Sequence, residues 1–245
     1  MRKTVLITGA TRGIGKSTAI EFAKYNYNVV INYLNSDNLA KELKEYLEKT
    51  YGIDVLTIKA DISHEDEVID MVDTIIKKFH TIDVLVNNAG IAIDSTLEDK
   101  TVDNFKKILD TNLIGTFLTC KYVSRYMQEQ HFGKIINVSS NNGIDAYYPE
   151  SMDYDASKAG VISLTHNFAT LLAPYVNVNC VAPGWVITDM NQELTEDQIK
   201  KEEKGILLNR LAEPVEIAKV IYFLSTEDAK YINNTVIRVD GGLKN

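Results

Sequence analysis

Seven short runs of apolar, largely β-branched residues punctuate this chain, with helical patterns between them. The runs are Thr4–Thr8, Val29–Asn32, Val55–Lys59, Val84–Asn87, Ile135–Ser139, Val176–Val181 and Thr235–Val239, recurring about every 25–50 residues. They are continuous and not alternating. A strand that is apolar on both sides must be covered on both sides, which is the setting of a parallel sheet between two helical layers. Asp37–Lys49 reads as one of those helices, with Leu39, Leu43 and Leu47 on its apolar stripe. Ser63-His64-Glu65-Asp66 resembles a capping box that opens a second helix through Val68, Met71, Val72, Ile75 and Ile76. Pro214 suits the first turn of a third, before Ile217, Val220, Ile221 and Leu224.

Strand alternating with helix, joined by right-handed crossovers, implies a doubly wound α/β sheet with strand order 3-2-1-4-5-6-7. No composition break or linker divides residues 1–245, so one domain is expected. Ligands of such sheets bind beyond the carboxyl ends of the strands, where the order reverses between the first and fourth. The polar segment Thr188–Gly205 is the expected lid over that crevice.

The first run ends in Thr8-Gly9-Ala10-Thr11-Arg12-Gly13-Ile14-Gly15, a glycine-rich turn leading into a helix. Glycines allow a tight turn and a close approach of the backbone, and the helix N-terminus offers amides to a pyrophosphate. Gly9, Thr11, Arg12, Gly13, Ile14 and Gly15 are therefore expected to hold a dinucleotide in a Rossmann-type fold. The second run ends in Asn32-Tyr33-Leu34-Asn35-Ser36, without the carboxylate that usually binds the ribose 2′-hydroxyl of NAD. With no acid there to repel a 2′-phosphate and Arg12 nearby to pair with one, Asn32, Tyr33 and Asn35 point to NADP(H) over NAD(H).

Charge excludes other classes. The formal net charge is -8, which argues against a nucleic-acid backbone or an anionic membrane surface as partner. No apolar run approaches the about 18 residues of a membrane span, and the first run is too short for a secretion signal, so a cytoplasmic protein is expected. Cys120 and Cys180 read as buried thiols, and the four histidines show no spacing suited to a metal, so none is expected.

Tyr154-Asp155-Ala156-Ser157-Lys158 places a phenol and an ammonium on one face of a helix. With 13 tyrosines in the chain such a spacing arises about once by chance, so its context carries the weight. Ser140 follows the fifth run, on the expected crevice side. Thr8–Gly15, Asn87-Asn88-Ala89-Gly90, Asn112, Ser140, Tyr154, Lys158, Pro183-Gly184 and Val239-Asp240-Gly241-Gly242 together resemble the short-chain dehydrogenases/reductases along essentially the whole chain. Arg12-Gly13-Ile14-Gly15, Val181-Ala182-Pro183-Gly184 and Asn209-Arg210-Leu211 are similar to the bacterial 3-oxoacyl-acyl-carrier-protein reductases in particular.

The resemblance implies roles. Tyr154 would protonate the alkoxide left by hydride transfer, and Lys158 would lower the phenol's pKa and grip the nicotinamide ribose. Ser140 would hold the carbonyl oxygen, and Asn112 a water that resupplies protons. Asp61 and Ile62 would meet the adenine, Asn88, Ala89 and Gly90 its ribose, and Pro183, Gly184, Val186 and Thr188 the nicotinamide carboxamide. A homotetramer is implied as well. A non-catalytic NADP-binding sensor would have no need of both Tyr154 and Lys158.

The substrate that the resemblance implies is a small-molecule or carrier-linked ketone. Where carrier-linked reductases present basic side chains, this chain has His131 and Pro174, and acids Asp145, Glu150, Asp153 and Asp155 stand near Tyr154. Those acids would repel an acidic carrier unless Lys121, Arg125 or Lys134 offsets them. Tyr147, Tyr148, Met152, Trp185 and Met190 would suit the pocket of a free sugar-derived, polyol-derived or other ketone.

Overall fold

The alternation of apolar runs and amphipathic stretches closes into one sheet. The structure, a computed structural model, describes residues 2–189 and 195–243. Its strands are β1 (Thr4–Ile7), β2 (Asn28–Tyr33), β3 (Val55–Lys59), β4 (Val84–Asn87), β5 (Gly133–Val138), β6 (Val176–Pro183) and β7 (Val236–Val239). They are parallel in the order β3-β2-β1-β4-β5-β6-β7, as expected. Leu6 lies in register with Val30 on one side and Leu85 on the other.

Alternate strand residues serve opposite faces. Val5, Ile7, Val29, Ile31 and Val86 pack with α1 (Gly13–Lys24), α2 (Asp37–Tyr51) and α8 (Pro214–Leu224). Leu6, Val30, Leu85, Ile135 and Val178 pack with α3 (Glu65–Phe79), α5 (Gly115–Glu129) and α6 (Met152–Leu172). Each aliphatic side chain so buried contributes about 1.5–3 kcal/mol.

Two local expectations give way to tertiary geometry. On α2 the buried residues are Ala40, Leu43 and Leu47, while Leu39 is 41% exposed. A four-residue step overshoots the helical turn by about 40°, so three such residues spread too widely for one contact, and the 40-43-47 stripe goes inside. At α3 the expected capping box is absent. His64 flanks the helix without a side-chain cap, and the Ser63 hydroxyl donates to Asp61 at 2.7 Å. Glu65, Asp66 and Glu67 in the first turn answer the helix dipole in its place. Pro214 does stand in the first turn of α8, where Glu213 and Glu216 form a capping box.

Cys120 and Cys180 are buried, free thiols, and burial pushes Cys120 up to about 12. His64 and His80 stand at the two ends of α3. Among the described residues no helix is long and apolar enough to cross a membrane, and no group of three or more His, Cys, Asp or Glu side chains is placed to hold a metal.

The chain from β4 to α6 carries the site. It passes through α4 (Val102–Leu109), a π-helical turn at Asp110–Ile114 and α5. The loop before α4 is tied to the start of α6 by a buried ion pair. Lys100 Nζ lies 3.0 Å from each carboxylate oxygen of Asp153, whose side chain is fully buried. Of the expected lid, residues 190–194, Met190 among them, lie outside the described residues. Beyond them α7 (Glu196–Gly205) buries none of its residues. Removing Lys100 leaves a buried carboxylate without its countercharge, so Lys100→Met is expected to cost about 3–5 kcal/mol in denaturant unfolding. A loss under about 1 kcal/mol would contradict the reading of this pair as buried and mutually dependent.

Candidate active site

The turn after β1 is shaped by β4. Gly9 and Gly13 take φ values of 62° and 51°, in the left-handed region that glycine tolerates. A Cβ on Gly9 would stand 2.9 Å from Ala89 Cα, and one on Gly15 would stand 2.3 Å from the Gly9 carbonyl oxygen. The Asn88 amide donates to the Thr8 and Gly9 carbonyls at 3.0 Å, and Thr8 Oγ1 accepts from the Asn88 and Ala89 backbone. α1 then starts at Gly13, with no side-chain cap from Arg12 and no acid in its first turn. Its leading amides and dipole are left to an external anion. Thr11 is buried at the turn, and Thr188 approaches from the loop after β6, its methyl 3.2 Å from the Cβ position of Gly13. A narrow glycine cradle at a helix N-terminus fits the pyrophosphate of a dinucleotide.

Arg12 reaches from this turn to the end of β2. Its guanidinium donates to Ser36 Oγ at 3.0 Å and lies 3.9 Å from Asp189. Asn35 beside it is exposed. Tyr33 donates to Asp37, which Lys59 neutralises at 3.1 Å. Asn32 is buried, its amide donating to the Ala60 carbonyl, and so braces β2 against the loop after β3. Asp61 accepts from the Ser63 amide and hydroxyl, and Ile62 packs beneath Gly115 at the start of α5.

The residues expected to do chemistry converge at the ends of β4 and β5. Lys158 and Tyr154 share one face of α6, and Lys158 Nζ donates to the Val138 carbonyl at 2.9 Å. Tyr154 stands near Ser140, which follows β5. Asn112 sits in the π turn and is almost fully buried. Its amide grips both the N–H and the carbonyl of Ile91, at 2.8 and 2.9 Å, and donates to Ser157 at 3.0 Å. A Cβ on Gly90 would stand 3.3 Å from Asn112 Oδ1 and 3.4 Å from Lys158 Nζ, so Gly90 leaves the space between them open. Across the crevice, Gly184 packs on Asp240 and Val186 bridges to Ala212, continuing from Pro183 at the end of β6.

The electrostatics differ from the expectation. Burial pushes the Tyr154 phenol up to about 12, with Asp155 and Asp94 adding to the rise and the bond from Ser140 opposing it. Lys158 does not reverse this. Its ammonium stands 5.5 Å from the ring centroid, over the face of the ring, and gives a hydrogen bond to a carbonyl. Burial also pushes Lys158 down to about 8. Desolvation disfavours both charged forms at once.

Two further expectations change. Asp145 pairs with Arg238 at 2.6 Å, Asp153 is enclosed with Lys100, and Asp155 accepts three donors, which leaves Glu150 as the exposed acid of the four. Lys134 is itself buried, bonded to Asn177, and presents no charge outside. Trp185 Nε1 donates to Tyr148 at 3.3 Å, giving the pocket wall two joined aromatics, while Tyr147 is exposed. Ser157 is a participant the sequence reading passed over. It donates to the Tyr154 carbonyl at 2.7 Å and accepts from Asn112. Its place three residues after Tyr154 on one helix was the available signal.

Known proteins give the same constellation a context. The model of the short chain dehydrogenase family matches residues 3–199. The chain is 39% identical over 244 residues to 3-oxoacyl-acyl-carrier-protein reductase FabG of Staphylococcus epidermidis, covering 99% of both proteins. It is 40% identical over 243 residues to the 3-oxoacyl-acyl-carrier-protein reductase of Synechocystis sp., covering 98% of this chain and 96% of that one. The solved structure "ElxO with NADP Bound" superposes with a TM-score of 0.91 at 34% identity, covering 98% of each chain.

The cradle allows a direct check. Gly15→Ala forces a methyl into the Gly9 carbonyl and the Asn88 amide, and calorimetric titration with NADPH is expected to show at least a tenfold loss of affinity. Unchanged affinity would mean that the turn does not form this cradle.

Proposed function

Since the chain belongs to the short-chain dehydrogenases and is an NAD(P)-dependent oxidoreductase, we propose that it reduces 3-oxoacyl groups, carried as thioesters on an acyl carrier protein, with NADPH. The convergence of Ser140, Tyr154, Lys158 and Asn112 beside the glycine cradle carries this reading, and the carrier-linked relatives supply its substrate class.

The nicotinamide, when bound, supplies the hydride. Gly9, Gly13 and Gly15 with the first amides of α1 would hold its pyrophosphate, and Arg12 with Ser36 would hold a 2′-phosphate. Ser140 orients the ketone oxygen, and Tyr154 delivers the proton to it. A phenol at about 12 serves this direction well, because the alkoxide's conjugate acid lies near water's value of about 15.7. The proton therefore moves downhill without prior acidification of the tyrosine. In the reverse direction the same phenol is almost wholly protonated at neutrality and is a poor base. Lys158 holds Tyr154 against β5 and gives up its charge as pH rises through about 8. Asn112 ties the loop after β4 to α6 through Ser157.

The free-ketone alternative rested on His131 and Pro174, on a partly aromatic pocket and on four acids beside Tyr154, and three of those acids are engaged by partners within the protein. For an acidic carrier, Arg125 is the exposed base over the Tyr122 ring, while Lys121 over the same ring is paired with Glu65 at 2.7 Å. Exposed Phe117 on α5 and Leu171 on α6 offer apolar surface for the homotetramer that accompanies this reading.

Three outcomes are expected. Steady-state reduction of an acetoacetyl thioester on acyl carrier protein should exceed that of free ketones by at least tenfold in kcat/KM, and the opposite order would reject the carrier-linked substrate. Tyr154→Phe should abolish turnover while NADPH still binds, and a wild-type rate would reject the acid. Arg12→Ala should weaken NADPH about 10–100-fold while leaving NADH nearly unchanged, the loss of one charge-assisted contact of about 1.5–3 kcal/mol. Equal effects on both cofactors would remove Arg12 from 2′-phosphate recognition.

A further inference from the structure

Asp155 follows the catalytic tyrosine directly, in the first turn of α6. A carboxylate next to a phenol that must give up a proton calls for a reason. Its two oxygens accept from the Asn142 side-chain amide at 2.7 Å, from the Tyr148 backbone at 3.1 Å and from the Ser151 hydroxyl at 3.4 Å. The bond to Asn142 is the informative one. A carboxylate only accepts, so the NH2 of Asn142 must face it, and this fixes which way the amide is turned. The Asn142 Oδ1 is thereby presented to Ser140, 3.2 Å from its Oγ, and the Asn142 backbone N–H meets the same Oγ at 3.2 Å. Ser140 in turn stands beside Tyr154 and eases its ionisation. A chain of bonds thus runs from Asp155 through Asn142 to Ser140, the neighbour of the phenol one residue before Asp155.

We infer that Asp155 is a positioning residue of the active site, which acts through Asn142 to hold the Ser140 hydroxyl at the place where it receives the ketone oxygen. This rests on the reading that Ser140 and Tyr154 perform the reduction. Without Asp155, the Asn142 amide is free to rotate and offer either end to Ser140, whose hydroxyl can then turn to its other acceptor, Asn141 Oδ1, also at 3.2 Å. The same carboxylate sends its other bonds to Tyr148 and Ser151, so the loop that carries the aromatic wall is set by the one anchor.

Its charge has a second consequence. The charged groups facing Tyr154 are Asp155 beside it on α6, Asp94 from the loop after β4, and Lys158 over the ring face. Near Asp94 stand Lys100, Asp153 and Glu150. Both carboxylates facing the phenol keep its proton on, which serves reduction and hinders oxidation. Removing the charge of Asp155 should therefore move the ascending limb of alcohol oxidation to lower pH.

The test is a set of variants read in steady-state kinetics in both directions. Asp155→Ala should lower kcat for reduction at least tenfold with KM for NADPH within twofold of wild type. Asn142→Ala should give a similar loss, and the double variant should lose no more than the worse single one. Asp155→Asn keeps an acceptor for Asn142, so it should recover most of the reductive rate. It should also share with Asp155→Ala the shift of the oxidation limb, which Asn142→Ala should lack. A wild-type kcat in Asp155→Ala, multiplied losses in the double variant, or an unmoved limb in Asp155→Asn would each overturn the inference. Tyr154→Phe separates the two readings. If it stays active, the catalytic assignment falls. If it is dead while Asp155→Ala is normal, only the role of Asp155 falls.

Discussion

A buried ammonium bonded to a strand carbonyl holds this active site together. Lys158 Nζ donates to Val138 at the end of β5, and the Ser139 hydroxyl donates back to the Lys158 carbonyl at 2.7 Å. Gly143 lets the chain after β5 press against α6, since a Cβ there would stand 2.7 Å from the Lys158 backbone. Helix and strand are thereby locked at the point where Ser140 leaves the sheet and Tyr154 faces it. The charge is tolerated because the ammonium has a full acceptor, and it is weakened because it lacks water.

That enclosure sets the chemistry. Tyr154 is half-buried, and its burial keeps the proton on, which on the proposed mechanism suits an acid for an alkoxide and does not suit a base. The positive charge nearest the phenol lies against the face of its ring, so it cannot cancel the desolvation of the oxygen. Carboxylates at Asp155 and Asp94 act in the same sense as burial. On the proposed mechanism, burial and the two carboxylates both favour the reductive direction.

Much of this was legible in the chain. Continuous apolar runs gave the parallel sheet and its order, because only a doubly covered strand tolerates them. The glycine turn was readable because its neighbours leave no room for a Cβ. What escaped was set by partners distant in sequence. Nothing around Asp110–Ile114 signals the π turn that carries Asn112. The acids near Tyr154 look repulsive in a list of residues, yet Asp145 meets Arg238 and Asp153 meets Lys100 only in the fold. Ser63 looks like a cap until Asp61 takes its hydroxyl. The acidifying effect of Lys158 was implied by the family resemblance, and the burial that opposes it appears only in the fold.

The central claim concerns one proton. Ultraviolet difference titration of the free protein, wild type minus Tyr154→Phe, reads the ionisation of that phenol against the other tyrosines. The account predicts no phenolate signal from Tyr154 up to about pH 9, below the usual phenol value of about 10. A phenolate assigned to Tyr154 at neutral pH would contradict it.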